Sequence, residues 1–345
     1  VSAPDAIGFT GLVDLAAATM GGRVVAASDQ FFADADNLIK PGRGVFVDGK
    51  FTDRGKWMDG WESRRRRTAA PDHDWCVIAL GAPGDVVAFD VDTNHFVGNH
   101  PPFASIDGIF APGAPGIDDL AGRAWAELLA QAPLRPGVQN LFVAEPRGRV
   151  THVRLNIFPD GGVARLRVYG RVAIDVTDDR DDEQRRQVPP GLVDLAAVKN
   201  GGLALACSDA FFGPMNNLIM PGRAADMGGG WETRRRRGSG HDWIVVRLGV
   251  RGAPALVEVD TAHFKGNYPD RFSLDAIDAP EGARATDLIA STRWSPLLPE
   301  AKLAADARHF LAVETTAAVP PATHVRLNIF PDGGVSRLRI WGRRA

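Results

Sequence analysis

At 345 residues, with 40 basic against 42 acidic side chains and a net charge of -2, the chain has the length of two ordinary domains. Its charge excludes a general field that would gather nucleic acid or an anionic bilayer. No apolar run approaches the roughly 20 residues of a membrane-spanning helix, and no basic flank precedes an apolar segment at the start, so a soluble, cytoplasmic protein with a small-molecule partner is expected.

In chain order, GLVDLAA from Gly11 opens the readable part, followed by SDQFF at Ser28 and NLIKPGR at Asn37. WESRRRR begins at Trp61 and HDW at His73. The apolar runs WCVIAL from Trp75 and DVVAFDV from Asp85, separated by Gly, Pro and Asp, have the spacing of strands in an antiparallel β-sandwich. VDTNHFVGN follows from Val91, and residues 118–132 pattern as a short helix. Residues 151–171 alternate well enough for two strands, joined as a hairpin by the turn Pro159, Asp160, Gly161, Gly162. Residues 175–190, highly charged and closed by two prolines, read as a linker.

The list of signals then starts again. GLVDLAA recurs at Gly191, SDAFF at Ser208, NLIMPGR at Asn217, WETRRRR at Trp231, HDW at His241 and VDTAHFKGN at Val259. A second helical stretch is expected over 285–298. Residues 323–343 repeat 151–171 with three changes, so one chain holds two copies of one domain, at 9–173 and 191–345 around a linker at 174–190. Residues 45–56 belong to the first copy alone. The two cysteines, Cys76 and Cys207, occupy unrelated repeat positions within apolar stretches, which excludes a disulfide framework and suits small core residues.

The duplication separates kept polar residues from filler. Six of the eight histidines form three pairs, His73 with His241, His95 with His263 and His152 with His324, whereas His100 and His309 stand alone. His95 and His263 lie in D-T-x-H-F-x-G-N, where a strand ends and the chain turns; with Asp92 and Asp260 they are the candidate acid/base groups, and Asn99 and Asn267 candidate ligand contacts. The competing reading has those aspartates capping the turn and the asparagines making local bonds. For His152 and His324, inside an alternating strand, structural and functional readings stay open.

In an extended segment alternate side chains face opposite ways, so about two of each four consecutive arginines can enter a pocket. Arg64, Arg65, Arg66 and Arg67, with Arg234, Arg235, Arg236 and Arg237, are therefore candidates to bind a carboxylate, which guanidinium grips bidentately. Glu62 and Glu232 beside them are candidates for proton transfer or for orienting an arginine. Asp29 and Asp209, next to Phe31 and Phe211, mix with aromatics as a ligand wall does, and His73 and His241 join them as substrate contacts. No metal signature is strong; no cofactor is required, with a divalent ion on oxygen ligands as the remaining option. Phosphate-loop, nucleophile-elbow and dinucleotide motifs are missing from the sequence.

The order of motifs resembles a discoidin-type, galactose-binding-like jelly roll in tandem, an all-β architecture whose loops at one end hold the ligand. The set S-D-x-F-F, N-L-I-x-P-G-R, W-E-[ST]-R-R-R-R, H-D-W, V-D-T-x-H-F-x-G-N and H-V-R-L-N-I-F-P-D-G-G, present in both copies, resembles the allantoicase family. That resemblance implies hydrolysis of allantoate to ureidoglycolate and urea in purine and allantoin catabolism, by a homo-oligomer. Two other readings compete with it: a duplicated lectin-like binding module, and a scaffold whose repeats only assemble.

Overall fold

Each repeat is built around one strand long enough to serve two sheets. The structure is a computed structural model and describes residues 12–66, 72–173, 180–313 and 320–345. It divides the chain into two units, 1–173 and 174–345. In the first, the strands are β1 (Val13–Asp14), β2 (Arg23–Ala27), β3 (Phe51–Thr52), β4 (Gly55–Lys56), β5 (Trp61–Glu62) and β6 (Asp74–Asp92). They continue as β7 (Phe103–Ile109), β8 (Ala126–Pro133), β9 (Gln139–Val143), β10 (Arg149–Phe158), β11 (Gly162–Val163) and β12 (Arg165–Val172).

The first half of β6 lies between β2 and β10, with Ile78 opposite Val24 and Val153. Its second half lies between β9 and β12, with Phe89 opposite Phe142 and Val168. One layer therefore runs β2–β6–β10–β7–β8 and the other β1–β12–β6–β9. Alternating residues of both layers, among them Leu15, Ile78, Phe89, Ile106, Leu155 and Val168, are fully buried in one core. This is a β-sandwich of the jelly-roll kind, and the second unit repeats it.

There the strands are β13 (Val193–Asp194), β14 (Leu203–Cys207), β15 (Trp231–Glu232), β16 (Asp242–Asp260) and β17 (Arg271–Ile277). β18 (Ser295–Lys302), β19 (Arg308–Ala312), β20 (Ala322–Phe330), β21 (Gly334–Val335) and β22 (Arg337–Arg344) complete it. The 19-residue β16 plays the part of β6, joining β14 and β20 on one half to β19 and β22 on the other. Cys76 is buried, Cys207 half-buried and both are free; burial pushes the Cys76 thiol up, away from reactivity.

Three expectations give way. β10 and β12 do not form a hairpin, because β6 lies between them and pairs with both. The turn at Pro159 to Gly162 thus crosses the end of the sandwich instead of closing a ladder. The helix expected over 118–132 shrinks to α1 (Ile117–Leu120), and the rest is β8, paired with β7; over 285–298 only α3 (Ala285–Ala290) is helical before β18.

The described part of the segment read as a linker is not loose either. It holds α2 (Asp182–Gln187), between α1 and α3 in chain order, whose N-cap Asp181 accepts from the Gln184 amide. Gln184 in turn donates to Glu258 at 2.9 Å, and Val188 and Leu192 pack on Leu256 and Trp341. The segment is thereby docked on the second unit.

Candidate active site

Local motifs converge at one end of each sandwich. Trp61 is fully buried in the core and its indole N–H donates to the Asp29 carbonyl at 2.8 Å, which fixes β5 against the Ser28 loop. β5 also pairs with β11, with Glu62 opposite Gly162, and so meets the turn after β10. Gly161 in that turn has φ +141°, and a Cβ there would lie 2.7 Å from the Asn99 carbonyl oxygen; only glycine lets the two loops approach so closely.

The four arginines then sort themselves. Arg64 is taken by Asp29, which accepts from its amide at 2.9 Å and its Nε at 2.7 Å. Arg66 is taken by Asp74, at 3.0 and 2.9 Å, and by Asp72, while its amide donates to Asp160 at 2.7 Å. Asp74 also accepts from Ser28 at 2.8 Å. Arg65, between them, is exposed and has no ion pair or hydrogen bond among the described residues. Arg67 lies outside the described residues.

The second repeat agrees, with Arg234 on Asp209 at 2.9 Å, Arg236 on Asp242 and Arg235 unpaired among the described residues.

Arg65 lines a cleft of 540 Å³ together with Phe32, Glu62, Ser63, Asn99, His100 and Asp160. Its counterpart, of 460 Å³, has Arg235 with Phe212, Glu232, Thr233, Asn267, Tyr268 and Asp332. Both volumes suit a small metabolite. Asn99 donates to Glu62 Oε1 at 2.7 Å, and Asn267 to Glu232 Oε1 at 2.5 Å. Glu62 is half-buried; burial raises its pKa, with the Asn99 amide as a smaller opposing pull, so its carboxyl holds a proton more readily than an exposed one.

Other candidates stand apart from the clefts. Asp92 and Asp260 are almost completely buried, each clamped by an arginine of the N-L-I-x-P-G-R motif, Arg43 at 2.9 Å and Arg223 at 2.9 Å. They also cap the turn by accepting from the amides of Asn94 and Ala262. His95 and His263 have φ near +70°, a left-handed kink that sends Phe96 and Phe264 into the core. The His95 ring lies 5.7 Å from that of Phe46, and His263 Nε2 is 2.9 Å from the Ala224 carbonyl oxygen; neither lines either of these two clefts.

His73 and His241 stack on Phe158 and Phe330 at 4.7 and 4.6 Å, beside the clefts and outside their lining. Asp29 and Asp209 serve the arginines, as just described. Among the described residues no three His, Cys, Asp or Glu side chains gather as a metal site would require.

Asp160, Ser63 and His100 were not singled out from the sequence. Asp160 carried a signal, since P-D-G-G stands unchanged in both copies, but read as a turn. His100 carried none, because the second copy has Tyr268 there.

Two β-sandwiches in tandem, each ending in a polar cleft lined by a guanidinium without an ion pair among the described residues, a half-buried carboxyl and a carboxamide, define a tandem-repeat, all-β class of protein. The chain belongs to the allantoicase family: the allantoicase repeat matches residues 13–173 and 193–345. It is 49% identical to a probable allantoicase of Pseudomonas paraeruginosa, covering 97% of both chains. With the allantoicase of Dictyostelium discoideum it shares 46% identity over 93% of this chain and 84% of that one. The crystal structure of allantoicase from Saccharomyces cerevisiae is similar throughout, with a TM-score of 0.78 at 37% identity, covering 96% of this chain and 92% of that one.

Proposed function

We propose that this protein hydrolyses allantoate to ureidoglycolate and urea, using the cleft at the end of the sandwich. The observation that carries the assignment of residues is Arg65, without an ion pair among the described residues, in one cleft with Glu62, whose Oε1 is held 2.7 Å from the Asn99 amide. Allantoate bears a carboxylate and two ureido groups on one carbon. Arg65 grips the carboxylate, and Asn99 and Glu62 address a ureido group by donating and accepting hydrogen bonds.

Release of intact urea requires breaking the bond from the central carbon to a ureido nitrogen. Glu62, in its acid form, gives its proton to that nitrogen, and the lone pair of the other ureido nitrogen supports the carbon as an N-acyliminium-like species. Water adds its oxygen to the carbon and must lose a proton to a base within the cleft. The C–N bond is replaced by C–OH and urea leaves with the added hydrogen. No protein nucleophile enters the balance.

In this reading the acid role expected of His95 and His263 falls to Glu62, because those histidines do not line the two clefts. Family membership supports the reaction over the lectin-like module.

The test is urea release from allantoate by chelator-treated protein. Turnover without added metal is expected, and strict dependence on a divalent ion would overturn side-chain proton transfer. Arg65→Met is expected to raise KM roughly 10- to 100-fold, the loss of a charge-assisted contact. Glu62→Gln should lower kcat by about 100-fold or more, the usual worth of a positioned acid. Because burial raises the Glu62 pKa and the acid form starts the reaction, kcat should fall on the alkaline side as that proton is lost.

A further inference from the structure

The two clefts are copies, and they differ in three ways that bear on chemistry. His100 lines the first, with its Nδ1 buried and lacking a hydrogen-bond partner among the described residues, and Tyr268 takes its place in the second. An imidazole can take up and release a proton near neutral pH, whereas a phenol, ordinarily of pKa about 10, offers a donor and no base there. The carboxylate that the second cleft gains, Asp270, is tied to Lys302 at 2.7 Å and Arg271 at 2.9 Å; those partners hold its pKa below the usual range and spend its basicity.

The third difference is the β3–β4 hairpin, part of the segment that only the first repeat has. Arg54 from its tip donates to the Phe31 carbonyl at 3.1 Å and lies 5.6 Å from the Phe31 ring centre. Gly55 approaches the Phe32 ring, where a Cβ would stand at 3.9 Å. Phe31 and Phe32 are consequently 42% and 38% exposed, against 64% and 60% for Phe211 and Phe212. Phe32, the aromatic side chain that lines the first cleft, is thus backed by the hairpin, whereas Phe212 in the second cleft has no such backing.

We propose that turnover is confined to the first cleft, where His100 takes the proton of the adding water while Glu62 supplies that of the leaving nitrogen, and that the second cleft binds the same ureido-carboxylate class without cleaving it. The inference rests on the functional reading above. The cycle closes when the imidazolium returns its proton through solvent to the Glu62 carboxylate, so each turnover consumes one water and no other reactant. Arg235, Glu232 and Asn267 give the second cleft the contacts for binding.

His100→Tyr copies the second cleft into the first. With allantoate as substrate it should lose about 100-fold in kcat with KM within threefold, and equilibrium dialysis should still find two allantoate molecules per chain. His100→Asn, a smaller change, guards against misfolding, checked by circular dichroism and melting. Its kcat should fall as far as that of His100→Tyr, with two allantoate molecules still bound per chain.

Retention of half or more of kcat by both variants would overturn the role of His100. One bound allantoate per chain would overturn the second site. Failure of the parent protein itself to release urea would instead sink the functional reading, a result separable from any of these.

Discussion

Asp90 and Glu258 occupy the same place in the two repeats, on the strand that both sheets share, yet their surroundings differ. Glu258 is met by Gln184, the Trp341 indole at 3.2 Å and Arg308 at 3.3 Å. Asp90 has Gln139 at 2.5 Å on one oxygen, while the other is buried with no hydrogen-bond partner among the described residues, and burial pushes its pKa up to about 6. A raised folded value means that the native state holds the proton better than the unfolded one between 3.8 and about 6, so stability is lost as pH rises through that window. Asp90→Asn should therefore raise the melting temperature at pH 7 by a few degrees, and the gain should vanish near pH 4.

His324 shows the opposite sign. Its Nδ1 is 2.9 Å from the Thr323 hydroxyl, and burial lowers its pKa to about 4. Folding excludes the charged form, so its support is full above 6.5 and is lost as pH falls towards about 4; His324→Asn should flatten the acid slope of melting temperature against pH. The repeat pairing of histidines was legible in the sequence and their purpose was not. His152 and His324 are buried within strands and His95 and His263 sit at a left-handed turn, places set by packing far apart in sequence.

At the scale of elements, α2 is held by a charge cluster more than by its own length. Arg308, almost buried, meets Asp181 at 2.6 Å, Glu183 at 3.0 Å and Glu258 at 3.3 Å. Arg308→Met would leave Glu258 charged and buried beside a docked helix, and is expected to cost about 3–5 kcal/mol in urea denaturation, the usual penalty for removing one partner of a buried pair. The pull of Arg308 holds Asp181 down at about 2, so its contribution persists above 3.8 and is lost only as pH falls from there towards about 2.

Elements were the least legible level. The run AELLAQAP at Ala126 has helical composition, but its pairing with β7 overrides propensity and puts Leu128 in the core. The second copy held the correction, since SPLLPEAK carries Pro296 and Pro299, tolerable in the edge strand β18 and costly inside a helix. The P-D-G-G turn misled in another way: its residues suit a hairpin, while the register of β6 against both neighbours decides the topology, and register is set by contacts far apart in sequence.

For the whole molecule, repetition made two domains, their all-β class and their family readable, because each motif could be checked against its twin. It also made the arginine, glutamate and asparagine positions of the cleft stand out. What it hid was any residue present once, and His100 and the β3–β4 hairpin are such features. The long strand at the centre of each repeat has a consequence for how the molecule opens. A sandwich whose layers were separate ribbons could part along its seam, letting one face exchange its amide hydrogens while the other stayed closed. Here Ile78 and Phe89 are on one continuous backbone, locked into different layers, so neither layer can release its ladder without dragging the other. Hydrogen exchange at amides 77–79 and 88–91 should consequently share a single opening free energy, equal to that of the unit as a whole, and two distinct values would show a seam after all.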